Sequence, residues 1–510
     1  MFRSPKLSLE DLLGKAYLDR VVEANAALNL LSAEEATAAA TEKVDFFPAE
    51  TQEEMDALLN KVGTAIIPAF DDTLAGAGTN AFQKATHTEM APLTGTSAYR
   101  LGEDGRLYLI GKSEHYHASL GHRFNGYKLI DNARKLGILN ATHNNTRGYI
   151  TRLMETRLIQ FANGLEWEDE EGTAAVLASA EPHVLNRVIN LETGSLAVEA
   201  GVKMMLARFY RLDATFPEPK YFGKTPVFFV MADKNGGKEG NYHGTTVLTQ
   251  TFRGLWPEFY AEAELTGLYK VVPVMANDIA DFKEKMRRYN TGEYKTAGFL
   301  HEIIMMNYGG VRLTPEFLQE AYVCCREYDT PTLVDEIQSC MWYKGSLLFR
   351  LYGLQPDFAV VGKGFPGGEY PASKIITTAE MDTLNQFGAL VTNGQEELAA
   401  LSYLITMTFM RENGDEVARL GNVFQKGLEE VCRRHTESVD KVEGLGHLAG
   451  LHFRTVDKAA AFAKRLNAMC IDSSAQLYKA NCPPAVLLKP PILSSEAVLQ
   501  YIVNAIDAQL

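Results

Sequence analysis

Gly298-Phe-Leu-His-Glu-Ile-Ile304, Thr314-Pro-Glu-Phe-Leu-Gln-Glu-Ala-Tyr-Val-Cys-Cys325 and Thr332-Leu-Val-Asp335 are the residues on which the fold turns. The first and third are short apolar runs of the kind that strands buried on both faces produce. The segment between them reads as a helix. Thr314 suits its cap, Pro315 its first position, and Phe317, Leu318, Ala321, Tyr322 and Cys325 recur at helical spacing. Strand, helix and strand within about forty residues make a parallel βαβ unit. Working outward, Val227–Met231, Val271–Met275 and Asp357–Val361 are further buried strands, so the centre of the chain is an α/β domain with a mostly parallel sheet.

The flanks read differently. Residues 1–90 carry helical spacing with polar connections and no chemical motif, and are expected to form an N-terminal helical extension for packing or dimer contacts. Residues 91–145 and 386–510 are expected to build a small α+β domain from both sides of a large domain at 146–385. The whole is 510 residues long, consistent with roughly three units at about 150 residues each.

Lys plus Arg number 50 and Asp plus Glu 64, a formal net charge of −14 that opposes a nucleic-acid-binding role. No apolar run is long enough to span a membrane. The six cysteines form no CxxC pair, and small buried hydrophobes in a reducing compartment are the simplest reading. With no apolar leader after Met1, a cytoplasmic location is expected.

Ligands of open parallel sheets sit at the carboxyl ends of the strands. Three such ends carry chemistry. Glu192-Thr-Gly-Ser195 opens a helix whose first amides suit a phosphate. Asp335-Glu-Ile-Gln338 puts a carboxylate after an apolar run, and Gly362-Lys-Gly364 puts a lysine between glycines after the next strand. Separately these are a turn, a helix cap and a solvated lysine. Together they are the three things pyridoxal 5'-phosphate requires: an amine for a Schiff base, a carboxylate for the ring nitrogen, and amides for the phosphate.

From about Pro92 to its end the chain resembles the class III pyridoxal-phosphate aminotransferases of fold type I. Leu120-Gly-His122, Thr193-Gly-Ser195, Tyr242-His-Gly244, Asp335–Gln338, Gly362–Gly364, Thr392-Asn-Gly394 and Pro490-Pro491 stand in the family's order. The resemblance implies that Lys363 is the Schiff-base lysine and proton shuttle. It implies that Asp335 partners the pyridine nitrogen and Gln338 neighbours the ring hydroxyl. Gly194 and Ser195 would hold the phosphate, Tyr242 would stack on the ring, and Glu302 would lie close to the cofactor. Thr392 would reach the phosphate of a second subunit, which implies a homodimer with shared sites. The partners implied are a small-molecule amino donor and a carbonyl acceptor.

Segments 165–185 and 212–224 look like insertions relative to the family and are expected to reshape the substrate entrance. Two further departures bear on substrate. Many members have an arginine three residues before the Pro-Pro pair and a glutamate five residues after the Glu302 equivalent. Here Leu487 and Asn307 occupy those positions, with Lys489 nearby. Loss of the bidentate clamp puts glutamate and 2-oxoglutarate in doubt as donor and acceptor. The asparagine resembles the glutamate-1-semialdehyde aminomutase branch. Aminomutase, epimerase or decarboxylase chemistry is therefore the alternative on the same cofactor.

Other classes fit less well. Gly362-x-Gly364-x-x-Gly367, followed by Glu380 and Asp382, matches a dinucleotide fingerprint, the remote alternative of an NAD-dependent oxidoreductase; Pro366 and Pro371 oppose the helix it needs. A non-enzymatic binding protein is opposed by the complete set of cofactor residues. His115, His117 and His122 lack an acid or cysteine at ligand spacing, so no metal is expected.

Overall fold

The computed structural model describes residues 1–476 and 481–510. At its centre is a seven-stranded sheet made of β1 (Leu185–Leu191), β2 (Thr225–Met231), β3 (Lys270–Val274), β4 (Tyr294–His301), β5 (Thr332–Asp335), β6 (Phe358–Val361) and β7 (Ser373–Thr378). Their order across the sheet is β1-β7-β6-β5-β4-β2-β3. β2 to β6 pair in parallel, and β7 runs antiparallel to both β6 and β1. Six strands therefore share one direction and one carboxyl edge.

Alternate residues of each strand enter two different cores. Phe228, Val230, Leu333, Phe358, Val360 and Ile375 face one side. Val227, Phe229, Met231, Val334, Ala359, Val361 and Ile376 face the other. Both faces are covered, so these strands read as continuous apolar runs and not as alternating ones. The first side is closed by α2 (Gly194–Leu206), whose Val198, Val202 and Met205 are fully buried; it follows α1 (Tyr149–Asn163). The other side is covered in part by α3 (Pro315–Glu327), which begins with Thr314 accepting from the Phe317 amide at 3.2 Å and Pro315 in its first turn. A long helix, α4 (Glu397–Arg434), packs against α1.

One boundary that bears on the site differs from the sequence reading. β4 stops at His301 and Glu302 lies just beyond it, because Ile304–Met305 pairs instead with Val311–Arg312 in a separate two-stranded ladder.

Beyond α4, four antiparallel strands (Val439–Leu445, Leu448–Phe453, Ala485–Leu488, Ser474–Ala475, in that spatial order) carry the helices Val456–Ala468 and Glu496–Gln509. An antiparallel meander over Pro92–Leu109 joins this region through a bridge between Leu109 and Ile471. At the N-terminus, Leu9–Leu13, Lys15–Ala27, Ala33–Thr41 and Ala49–Leu58 are helical. Their Leu9, Leu13 and Ala36, with Phe46, share a core with Leu129, Met154 and Phe409. All six cysteines are buried. Among the described residues no helix is long and apolar enough to cross a membrane.

Candidate active site

The strand register brings the chemical residues level. In the parallel pairs Val334 lies beside His301 and Asp335 beside Val360. Glu302, Asp335 and Lys363 therefore leave three adjacent strands at one edge. Leu191 at the end of β1 pairs with Ser373 at the start of β7, which delivers Thr193–Ser195 to the same edge.

At that edge opens a cavity of about 750 Å³ whose lining includes Gly194, Ser195, Tyr242, Asp335, Gln338 and Lys363. Six of the eight residues expected at the site from sequence thus meet in one space. Glu302 is not among the lining residues. It sits behind the wall, 3 % exposed, and accepts from Gln338 Nε2 at 3.2 Å. Thr392 is exposed and also lies outside the lining. Residues 165–185 and 212–224, expected at the entrance, contribute none of the lining residues; helix Glu170–Ala178 packs beside β1 instead.

Each side chain is held for a local reason. Thr193 caps α2, leaving the Gly194 and Ser195 amides in the unpaired first turn, where a helix presents positive potential to an anion. Ser195 Oγ accepts from the Thr245 amide at 3.0 Å. Gly244 makes that approach possible: its φ is +126°, and a Cβ there would stand 2.6 Å from Ser195 Oγ. Gly244→Ala is accordingly expected to displace Ser195 and weaken binding of pyridoxal phosphate about tenfold, read by titrating the apoprotein with cofactor; unchanged affinity would remove Ser195 from the phosphate seat.

Asp335 is 3 % exposed. Its Oδ1 accepts from the Ile337 amide at 3.1 Å, and its Oδ2 lies 3.0 Å from His243 Nδ1. His243 is equally buried, and its Nε2 has no hydrogen-bond partner among the described residues. The next acid, Glu336, does structural work. Burial raises its carboxyl to about 7, while its oxygens accept from the Leu348 and Phe349 amides and from Ser339 Oγ, fixing the loop that carries Gln338.

Lys363 follows β6 in a left-handed conformation, with φ +37°. Burial holds its amine below the ordinary lysine range, opposed by the nearby Glu302 and Asp335 carboxylates. An amine so placed sheds its proton more readily than a solvated one, which frees its lone pair for nucleophilic attack and proton transfer. Tyr242 has Arg253 over its ring, 5.1 Å from the centroid, and both line the cavity.

Sequence reasoning left four participants without a role. His243 was visible only as the middle of Tyr242-His-Gly244, and its contact with Asp335 spans 92 residues. His115, His117 and Arg253 line the cavity from segments that carry no signature of their own. His115 is pushed down to about 3 by burial and then by Lys363, so it is a neutral imidazole. His301 is buried, its Nε2 3.0 Å from the Tyr322 hydroxyl. No group of three or more metal-ligating side chains is found among the described residues.

The fit to pyridoxal phosphate is testable on these atoms. The cavity joins a helix start with unpaired amides to a buried carboxylate and a recessed amine. Gln338 Oε1 is buried and without a partner among the described residues, as expected of a side chain that meets a polar group of a ligand. Fold and site together define a fold-type-I pyridoxal-phosphate enzyme.

Comparison with known proteins narrows the class. The Aminotransferase class-III family model matches residues 120–508. The acetylornithine aminotransferase of Caldanaerobacter subterraneus subsp. tengcongensis is 24 % identical over 353 residues, covering 68 % of this chain and 83 % of that protein. The putrescine aminotransferase of Pectobacterium atrosepticum is 26 % identical over 329 residues, covering 62 % and 64 %. Among solved structures, ornithine aminotransferase from Toxoplasma gondii superposes with a TM-score of 0.65 at 17 % identity, over 86 % of this chain and 92 % of that one. The chain belongs to the class-III aminotransferase family and is a pyridoxal-phosphate-dependent aminotransferase.

Proposed function

We propose that this enzyme takes an amino group from a primary amine or amino acid and passes it to an oxo acid or aldehyde, with Lys363 as the residue that would hold the cofactor covalently. The observation that carries the reading is the meeting of Lys363, Asp335 and the Thr193–Ser195 helix start around one cavity. When bound, pyridoxal phosphate supplies an electron sink for the carbanion at the substrate carbon. The chain's own groups do the rest. Gly194, Ser195 and the α2 amides hold the phosphate. Asp335, oriented by His243 and the Ile337 amide, would keep a proton on the pyridine nitrogen. Tyr242 covers one face of the ring, and Gln338, backed by Glu302, meets the ring hydroxyl. The Lys363 amine would carry the proton at the substrate carbon.

Relatives named for acetylornithine, ornithine and putrescine support a donor with a primary amine at the end of a carbon chain. The missing clamp opposes a glutamate-type partner. Leu487 is buried in a strand, and Asn307 lines the cavity where an acid paired to an arginine would stand. The same pair of residues favours, as the second reading, transfer within a single molecule. We place the enzyme in the cytoplasm as a homodimer, with Thr392 of each copy at the phosphate of the other.

A donor-only half-reaction separates the readings. A panel of terminal diamines, ω-amino acids and α-amino acids is added to the purified holoenzyme, and conversion of the cofactor to its pyridoxamine form is followed by absorbance. An external donor that converts it is the expected result. Isomerisation of one substrate, with no donor converting the cofactor, contradicts the first reading and supports the second.

A further inference from the structure

Four consecutive residues, Ser113–Tyr116, have φ between +47° and +77°, and none is glycine. Side chains resist that region, so such a turn persists only where surrounding contacts over-determine it. Those contacts are present. Glu114 pairs with Arg100, which is itself 7 % exposed, and Glu114 Oε1 lies 2.9 Å from His122 Nε2. Arg100 Nη2 reaches Asp472 at 3.3 Å, and Ser113 Oγ donates to the Lys489 carbonyl at 2.5 Å. Backbone strain of this kind collects at sites that bind or react. What this turn delivers is His115, with His117 two residues on, to the wall of the active-site cavity.

Ring and turn contacts fix where the two imidazoles stand. His115 stacks on Tyr116 with centroids 5.0 Å apart, and Lys363 Nζ lies 5.3 Å from the centre of the same Tyr116 ring. His115 therefore belongs to the part of the cavity beside the reacting amine. His117 lies against the turn that follows Lys363: a Cβ on Gly368, whose φ is +88°, would stand 3.4 Å from His117 Nδ1. The needs of the cofactor are met elsewhere in the lining, by Gly194, Ser195, Tyr242, Asp335, Gln338 and Lys363. The two imidazoles are left to meet the substrate.

Their chemistry selects the group they can meet. Burial and then Lys363 push His115 down to about 3, and burial lowers His117 as well, so both rings are held toward the neutral form. A neutral imidazole offers one N–H and one lone pair. Asn307, also in the lining, offers an amide that donates and accepts. A carboxylate only accepts and an ammonium only donates, and each needs a countercharge when it leaves water. The other charges of the lining stand elsewhere: Asp335 and Lys363 serve the cofactor, Glu192 adjoins Thr193 at the phosphate seat, and Arg253 lies over Tyr242. A hydroxyl donates and accepts at once and carries no charge.

We propose, on the aminotransfer reading above, that His115 and His117 form a subsite for a hydroxyl group and that the amino donor is an amino alcohol. The imidazoles make and break no bond. They determine specificity, and the Arg100–Glu114 pair behind them positions the turn from which they project.

The test uses four aminooxy probes of nearly equal size: O-(2-hydroxyethyl)hydroxylamine, O-propylhydroxylamine, O-(2-aminoethyl)hydroxylamine and aminooxyacetate. Each displaces Lys363 from the imine carbon of the cofactor, forming an oxime and freeing the lysine amine, whichever donor the enzyme uses. Loss of the imine band gives the rate, divided by that of the same probe with pyridoxal phosphate in solution. On the wild type the hydroxyethyl probe is expected to react about tenfold faster than the propyl probe. The double substitution His115→Phe and His117→Phe keeps two rings without a donor or acceptor, and is expected to bring that ratio to about one with the imine band still formed. His115→Gln, which retains both a donor and an acceptor, is expected to keep part of the preference. Equal wild-type rates, a faster reaction with aminooxyacetate or the aminoethyl probe, or a ratio that survives the double substitution overturns the proposal. The wild-type comparison alone decides if the double variant does not fold. If the ratios behave as expected while no amine donor converts the cofactor, the hydroxyl subsite stands and the aminotransfer reading falls.

Discussion

Lys363→Ala is expected to abolish the imine absorption of the reconstituted protein and to lower amino-transfer activity roughly a thousandfold or more, with the fold intact. The size of the effect follows from a double loss. The amine is both the group that anchors the cofactor covalently and the base that moves the proton at the substrate carbon. Both uses depend on its recess after β6, where burial depresses its proton affinity and Glu302 and Asp335 partly restore it. Stability is expected to change little. Alanine retains the Cβ that the left-handed backbone at this position already accommodates, and a buried amine is removed, which relieves a desolvation cost. Thermal unfolding beside the spectrum separates loss of chemistry from loss of structure. An alanine variant that keeps the imine band contradicts the assignment of the nucleophile.

Asp335→Asn is expected to lower kcat about 10²–10³-fold while the cofactor still binds at Lys363. The substitution is nearly isosteric, so the amide oxygen still accepts from the Ile337 amide. The negative charge disappears from the end of β5, however, and the pyridine nitrogen loses the partner that keeps it protonated. His243 loses its carboxylate as well, since its Nδ1 lies 3.0 Å from Asp335 Oδ2. A variant with near-normal kcat would show that the ring nitrogen needs no carboxylate here. His243→Ala, which leaves the charge but removes its orientation, is the natural companion.

How much of this was legible in the sequence depends on the range of each interaction. The central sheet was readable because strands buried on both faces write themselves as apolar runs, and because Thr314-Pro315 announces α3. Lys363 and Asp335 were readable because glycines and a strand end mark them locally. Long-range pairings were not. His243 becomes a partner of Asp335 only when β2 and β5 are set in one sheet, and nothing in Tyr242-His-Gly244 foretells it. Lys489 looked like one charged residue near a Pro-Pro pair, whereas in three dimensions it is wholly buried between Trp342 and Tyr116. The end of β4 was misjudged for a similar reason. Ile303 and Ile304 continue the apolar run, but Ile304 finds its hydrogen bonds with Arg312, outside the main sheet. The N-terminal helices carry no motif, yet Leu9, Leu13 and Phe46 enter the large core through contacts no spacing reveals.

The most direct test of the account is where the cofactor attaches. The holoenzyme is reduced with borohydride, digested, and the pyridoxyl-bearing peptide is sequenced by mass spectrometry. The label is expected on Lys363, in the peptide spanning Gly362–Gly364. Label on Lys489 or Lys112, or no covalent label in a protein that binds pyridoxal phosphate, would contradict it.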